Sequence, residues 1–139
     1  MCARTQIFPE GKCWPGVGLQ PLKWGAAKLL VDSLALGIHV LVVPIIHGGM
    51  EDVLPLRTYV PRTGRDVWVE VGEAVDVRPC VKAWRARERA VLAAAEGAWG
   101  DPWPEREEEL YVQVNALLEE ALRRTEQKLR SRMKAAKGV

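Results

Sequence analysis

From Leu29 to Ile46 the chain is almost uninterruptedly apolar, and any fold must hide that window. A membrane span would do so, and so would a helix followed by a strand. A span needs about 20 predominantly apolar residues in one helix. Here Asp32, His39 and Pro44 interrupt the window and Gly37 breaks it. The spacing instead predicts a helix over Leu22 to Ala35. Leu22, Ala26, Leu29, Leu30 and Ser33 share one side, with Lys23 and Lys28 elsewhere. Leu36-Gly37 supplies the stop. Val40 to Ile46, rich in β-branched residues, reads as a strand buried on both faces. Pro44 lacks an amide donor and belongs at an edge or near the strand's end. A shallow interfacial anchor is a second reading of the same window.

Upstream, Ile7-Phe8 reads as the end of a buried strand. It runs into Pro9-Glu10-Gly11-Lys12, a short turn in which Pro9 stops the ladder and Gly11 permits an unusual φ. Glu10 and Lys12 are thereby expected at the mouth of a sheet, where open α/β sheets place ligand groups. Taken alone, the same residues also describe a charged surface turn. Strand, helix and strand in that order predict an α/β fold with a parallel or mixed sheet.

His47 to Thr63 is a long connection rich in Gly and Pro, with Arg57, Arg62 and Arg65 in and beside it. It reads either as a solvated loop or as a landing surface for anionic lipid. Asp66 to Val77 alternates, with Val67, Val69 and Val71 on one face and Trp68, Glu70 and Gly72 on the other. That pattern predicts a half-buried strand. Arg78 to Gly97 reads as a helix with Val81, Trp84, Val91, Leu92 and Ala95 inward. A break at Gly97 to Pro104 divides residues 1–98 from a helical tail at 99–139. The last helix is expected from about Glu105 to Lys134, acidic at its start and basic at its end, which suits the helix dipole. Its stripe, Leu110, Val114, Leu117, Ala121 and Leu122, fades to Leu129 and Met133. The fading predicts an end that frays or meets a membrane or partner.

Composition excludes several classes. A net charge of +2 over 139 residues is too small to argue for nucleic acid. Cys2, Cys13 and Cys80 are an odd number with no C-x-x-C pair, so neither a disulfide framework nor a zinc site is expected, and no metal. No signal peptide is visible in Met1 to Phe8. The six Trp residues suit either a membrane interface or a core.

Three blocks, in order, are Phe8-Pro9-Glu10-Gly11-Lys12, Lys23-Trp24-Gly25, and Val42-Val43-Pro44-Ile45-Ile46-His47-Gly48-Gly49-Met50-Glu51-Asp52-Val53-Leu54-Pro55. Together they resemble the glycerolipid acyltransferase family, most closely its tafazzin branch, over about residues 6–77. The resemblance implies that Phe8, Pro9, Glu10, Gly11 and Lys12 bind substrate. Lys12 would hold a phosphate as a point cation. Glu10 would take a glycerol hydroxyl or hold the turn through backbone amides. It further implies phospholipid and lysophospholipid partners, acyl exchange without free coenzyme A or another cofactor, and cardiolipin remodelling. The implied location is a mitochondrial membrane, with peripheral or monotopic attachment.

The family's catalytic His-x4-Asp lies upstream of the Phe-Pro-Glu-Gly block, and only Met1 to Gln6 stand before that block here. The chain is therefore expected to be the C-terminal half of such a domain, inactive alone. His47 to Asp52 repeats the His-x4-Asp spacing after the Pro44 strand, where the family's base does not lie. A structural role is expected for the pair, His47 at the strand end and Asp52 in the glycine-rich turn. A catalytic role is the sharper alternative. Two further readings stand beside the enzyme: a non-catalytic lipid-surface or interaction module, and an incomplete product without a stable fold.

Overall fold

The structure, a computed structural model, describes residues 4–12, 18–94 and 103–138. Its elements are α1 (Gly25–Ala35), β1 (Ile45–Gly48), α2 (Met50–Val53), β2 (Trp68–Val71), α3 (Arg78–Ala94) and α4 (Trp103–Lys137). This is a set of helices around a small sheet, consistent with an α/β class, and it ends in the expected long helix.

The sheet differs from expectation. Among the described residues it has two strands, and they run antiparallel, from Ile45 opposite Val71 to Gly48 opposite Trp68. Ile7 and Phe8 join no strand and are exposed, so no parallel pair forms across α1. Pro9 offers no amide to a ladder, and the Phe8 carbonyl is already taken by the turn itself. Val42 and Val75 make an isolated bridge beyond the ladder. Between that bridge and the Ile45–Val71 pair stand Val43 and Pro44 on one strand, and Gly72, Glu73 and Ala74 on the other. The extra residue is a bulge, placed where Pro44 cannot donate. Pro44 still accepts, from the Gly72 amide at 2.8 Å.

The Val40 to Ile46 run is not buried on both faces. Val42, Pro44 and Ile46 turn inward, while Leu41, Val43 and Ile45 face out. On β2 the valines take the outer face and Trp68 and Glu70 the inner one. Leu41, Val43, Ile45, Val67, Val69 and Val71 are 44–59% exposed, an aliphatic sheet face with nothing over it among the described residues.

The other face lies on α4, a helix of 35 residues and so about 50 Å long. Its buried positions are Leu110, Tyr111, Val114, Leu118, Thr125 and Leu129, an i, i+4 rhythm with half-buried Ala121 and Leu122 in the gap. The upper part of the stripe forms one core with Ala27, Leu30 and Val31 of α1 and with Val77, Val81 and Trp84. Fully burying each Leu or Val stabilises by roughly 1.5–3 kcal/mol. On α1 Leu30 is buried as expected, and Ala26 and the preceding Leu22 pack against the same core, but Ala27 and Val31 are buried too and Leu29 is exposed.

The lower part of α4 does not fray. It runs under the hairpin, and two glycines let it approach. A Cβ on Gly48 would stand 3.1 Å from Met133 Sδ and 3.5 Å from Leu129 Cδ2. A Cβ on Gly72 would overlap Thr125 Oγ1. Arg132 ion-pairs with Glu70 on the inner face of β2. The expected boundary near residue 98 and the inward assignments of Val91, Leu92 and Ala95 lie outside the described side chains.

Candidate functional site

Phe8 to Gly11 is a closed turn. The Gly11 amide donates to the Phe8 carbonyl at 3.1 Å, and Gly11 sits at φ +75°, which a side chain would resist. The turn is tied to the segment before α1 at two points. Lys23 N–H donates to the Pro9 carbonyl at 2.8 Å, and Gln20 N–H donates to Glu10 Oε2 at 2.9 Å. Between the two strands of chain lies an open cleft of about 390 Å³, lined by Glu10, Gly11, Lys12, Gln20, Pro21 and Lys23.

Two lysines and one glutamate therefore line one cleft. A phosphate suits the pair of cations, each a compact donor that needs no planar geometry. The carboxylate has a structural task already, since it accepts a backbone amide. Of the two roles implied for Glu10, holding the turn is the one visible in the geometry.

Lys23 was not among the residues expected to bind. The Lys23-Trp24-Gly25 block positions it. Trp24 stacks on Tyr111 of α4 with ring centroids 6.3 Å apart and planes 23° from parallel. Lys28 lies 5.8 Å from the centre of the same tyrosine ring and pairs with Asp32 at 3.1 Å. Tyr111 donates to Glu107 at 2.8 Å, and burial, then that hydrogen bond, push its hydroxyl pKa up. The start of α1, and with it Lys23, is thereby fastened to the long helix. The signal in the sequence was an exposed Trp beside a Lys, which periodicity assigns to no face.

His47 and Asp52 are elsewhere. His47 sits on β1 opposite Val69, on the exposed face, and Asp52 is exposed on the short α2. No hydrogen bond or ion pair joins them among the described residues. The Asp52 amide donates to the Gly49 carbonyl at 3.2 Å, and Gly49 takes φ +87° against the Asp66 backbone. Phe8 is 69% exposed and turns no ring into a core. His39 contacts Arg78 through its imidazole Nε2. Cys80 is a free thiol whose pKa burial pushes up. Among the described residues no group of three or more His, Cys, Asp or Glu can hold a metal ion. No helix among them is long and apolar enough to cross a membrane.

No family model matches the chain, and no solved structure does. Tafazzin of Drosophila melanogaster is 31% identical over 83 residues, 59% of this chain and 21% of the relative. A Dictyostelium discoideum protein named taffazin is 38% identical over 71 residues, 50% of this chain and 25% of the relative. N-acylphosphatidylethanolamine synthase of Arabidopsis thaliana is 37% identical over 76 residues, 50% of this chain and 26% of the relative. The chain thus spans about a quarter of the length of these curated relatives or less. Over half of its own length, and as a partial match, the chain is similar to tafazzin sequences.

Proposed function

We propose that these residues form the substrate-phosphate part of a phospholipid–lysophospholipid acyl-exchange site. The observation that carries the reading is the cleft lined by both Lys12 and Lys23 beside the Glu10 turn. A glycerolipid brings its phosphate to the two cations. Its free hydroxyl then lies within the reach of a base, and its acyl chains leave through the open side. Holding the phosphate fixes the hydroxyl relative to the acyl donor, which converts much of an entropic barrier into binding.

Acyl transfer also requires a base for the hydroxyl. A histidine does this when a carboxylate fixes its tautomer and stabilises its charge. In this reading the base is a His-Asp pair carried outside these residues, and His47 and Asp52 keep structural roles. The tafazzin likeness supports cardiolipin as an exchange partner and a mitochondrial membrane as the place of action, with peripheral attachment.

Titration of the 139-residue chain with a short-chain lysophospholipid, followed by amide chemical shifts, tests the cleft. Shifts are expected at Gly11, Gln20 and Lys23, and Lys23→Ala is expected to weaken binding about tenfold, a typical loss for one charged hydrogen bond. Shifts spread elsewhere, or equal affinity in Lys23→Ala, would reject the reading.

A further inference from the structure

The loop between α2 and β2 is built to hold apolar side chains in water. Leu54 is 45% exposed, Leu56 72%, Tyr59 97% and Val60 77%. The loop is also pinned. Arg62 N–H donates to the Val53 carbonyl at 2.7 Å and closes its base. Thr58 donates to the Pro55 carbonyl from both its amide, at 3.1 Å, and its hydroxyl, at 2.6 Å. Arg57 takes φ +65°, a left-handed conformation that a non-glycine residue adopts only against a steric penalty. At the foot, Gly49 lies against the Asp66 backbone, so the two ends of the loop meet.

Charge decides what such a tip suits. Residues 54–65 carry Arg57, Arg62 and Arg65 and no acidic residue. All three arginines are exposed. An apolar loop with a tyrosine, carrying only cations between the acidic Asp52 and Asp66 at its foot, complements one kind of surface: apolar inside, negatively charged at its rim. That surface is a bilayer containing anionic phospholipid. Tyr and aliphatic side chains settle at the headgroup boundary, and arginine stems lie along apolar surface while their heads reach phosphate.

We propose that the 54–65 loop inserts Leu56, Tyr59 and Val60 into the interface of an anionic phospholipid bilayer, with Arg57, Arg62 and Arg65 on its phosphates. The choice of lipid over a protein partner rests in part on the phospholipid reading of the cleft. The loop then sets how the chain meets the membrane that supplies its substrate.

Co-sedimentation of the 139-residue chain tests this, with vesicles of phosphatidylcholine alone and of phosphatidylcholine mixed with phosphatidylglycerol. Binding is expected on the mixed vesicles, weakened but not abolished by high salt, because salt screens the arginines and leaves apolar burial intact. Replacing the cations together, Arg57→Asn with Arg62→Gln and Arg65→Gln, is expected to lower affinity for mixed vesicles roughly a hundredfold and to remove the salt response. Replacing the tip, Leu56→Ser with Tyr59→Ser and Val60→Ser, is expected to leave only salt-sensitive binding. All six side chains are exposed, so both variants should keep the parent's circular dichroism and melting. Parent-like binding by both variants would overturn the proposal. So would a parent that ignores vesicles, or that binds neutral and anionic ones alike without a salt effect. None of these readouts involves the cleft, so loop and cleft can fail separately.

Discussion

Glu10 Oε2 accepts the backbone N–H of Gln20 at 2.9 Å, and this bond holds the two walls of the cleft together. Glu10→Ala leaves the Gln20 amide without its partner and should destabilise by about 1 kcal/mol, the net worth of such a bond in partly exposed surroundings. Glu10→Gln keeps an acceptor oxygen and should lose less. Hydrogen exchange at the Gln20 amide separates the two: fast in the alanine variant, close to the parent in the glutamine variant. Equal protection in all three proteins would show that the carboxylate does not staple the turn.

Gly72→Ala should be among the most damaging single-methyl changes in the chain. The new Cβ would overlap Thr125 Oγ1 and stand 2.8 Å from Pro44 Cγ, so helix and hairpin must separate. Overpacking of this kind typically costs about 1–3 kcal/mol. Removing the obstructing hydroxyl with Thr125→Ala should rescue part of the loss, which a double-mutant cycle in urea would measure. Simple additivity of the two changes would mean that the hairpin does not rest on α4 at this point.

Acid should act through Asp76. Its carboxyl accepts from Arg78, which holds its pKa down at about 2 against an ordinary 3.8. A folded-state value below the unfolded one adds stability that is fully present above pH 3.8 and is lost as pH falls through about 2. Asp76→Asn should therefore be less stable than the parent at pH 5, and the difference should vanish by about pH 2. Urea midpoints across that range decide it. The group is exposed, so the effect should be small and should shrink further in salt.

Catalysis should depend on Lys12 and not on His47. The 139 residues alone are expected to give no acyl exchange between phosphatidylcholine and a lysophospholipid above background. Turnover by this chain that is abolished in His47→Ala would place the base on β1. With a catalytic segment supplied upstream, Lys12→Ala should raise KM for the lipid several-fold with kcat little changed, and Lys12→Arg should retain part of the affinity. Unchanged kinetics in Lys12→Ala would make it an ordinary surface lysine.

The helices were legible because their apolar spacing is regular and long. Val81 and Trp84 on α3, and Leu110 and Val114 on α4, are buried as their spacing requires. The sheet was less legible. A run such as Val40 to Ile46 does not say whether its second face is covered, and β2 turned its two valines outward and Trp68 inward. Nor does a run name its partner: β1 pairs with the strand after the loop, not with Ile7-Phe8, because Pro9 and the turn consume the groups a ladder would use. The stripe of α4 was expected to fade after Leu122, with only Leu129 and Met133 left. It continues through Thr125, whose hydroxyl satisfies itself on the Ala121 carbonyl at 2.8 Å and so passes as core. At the site, the turn could be read from Pro9 and Gly11. The partnership of Lys12 with Lys23 could not, because it depends on a stacking contact between Trp24 and Tyr111, residues far apart in the chain.

The position of α4 has a consequence during synthesis. Every element that it covers is made before it. Ala27, Leu30 and Val31 leave the ribosome well ahead of Leu110, and at about 5–20 residues per second the wait is on the order of several seconds. During that wait α1 and the hairpin have no helix to bury against, and the nascent chain shows both faces of its sheet. The late arrival of one helix makes this a chain for which holding by a chaperone, more than speed of local folding, would set the yield.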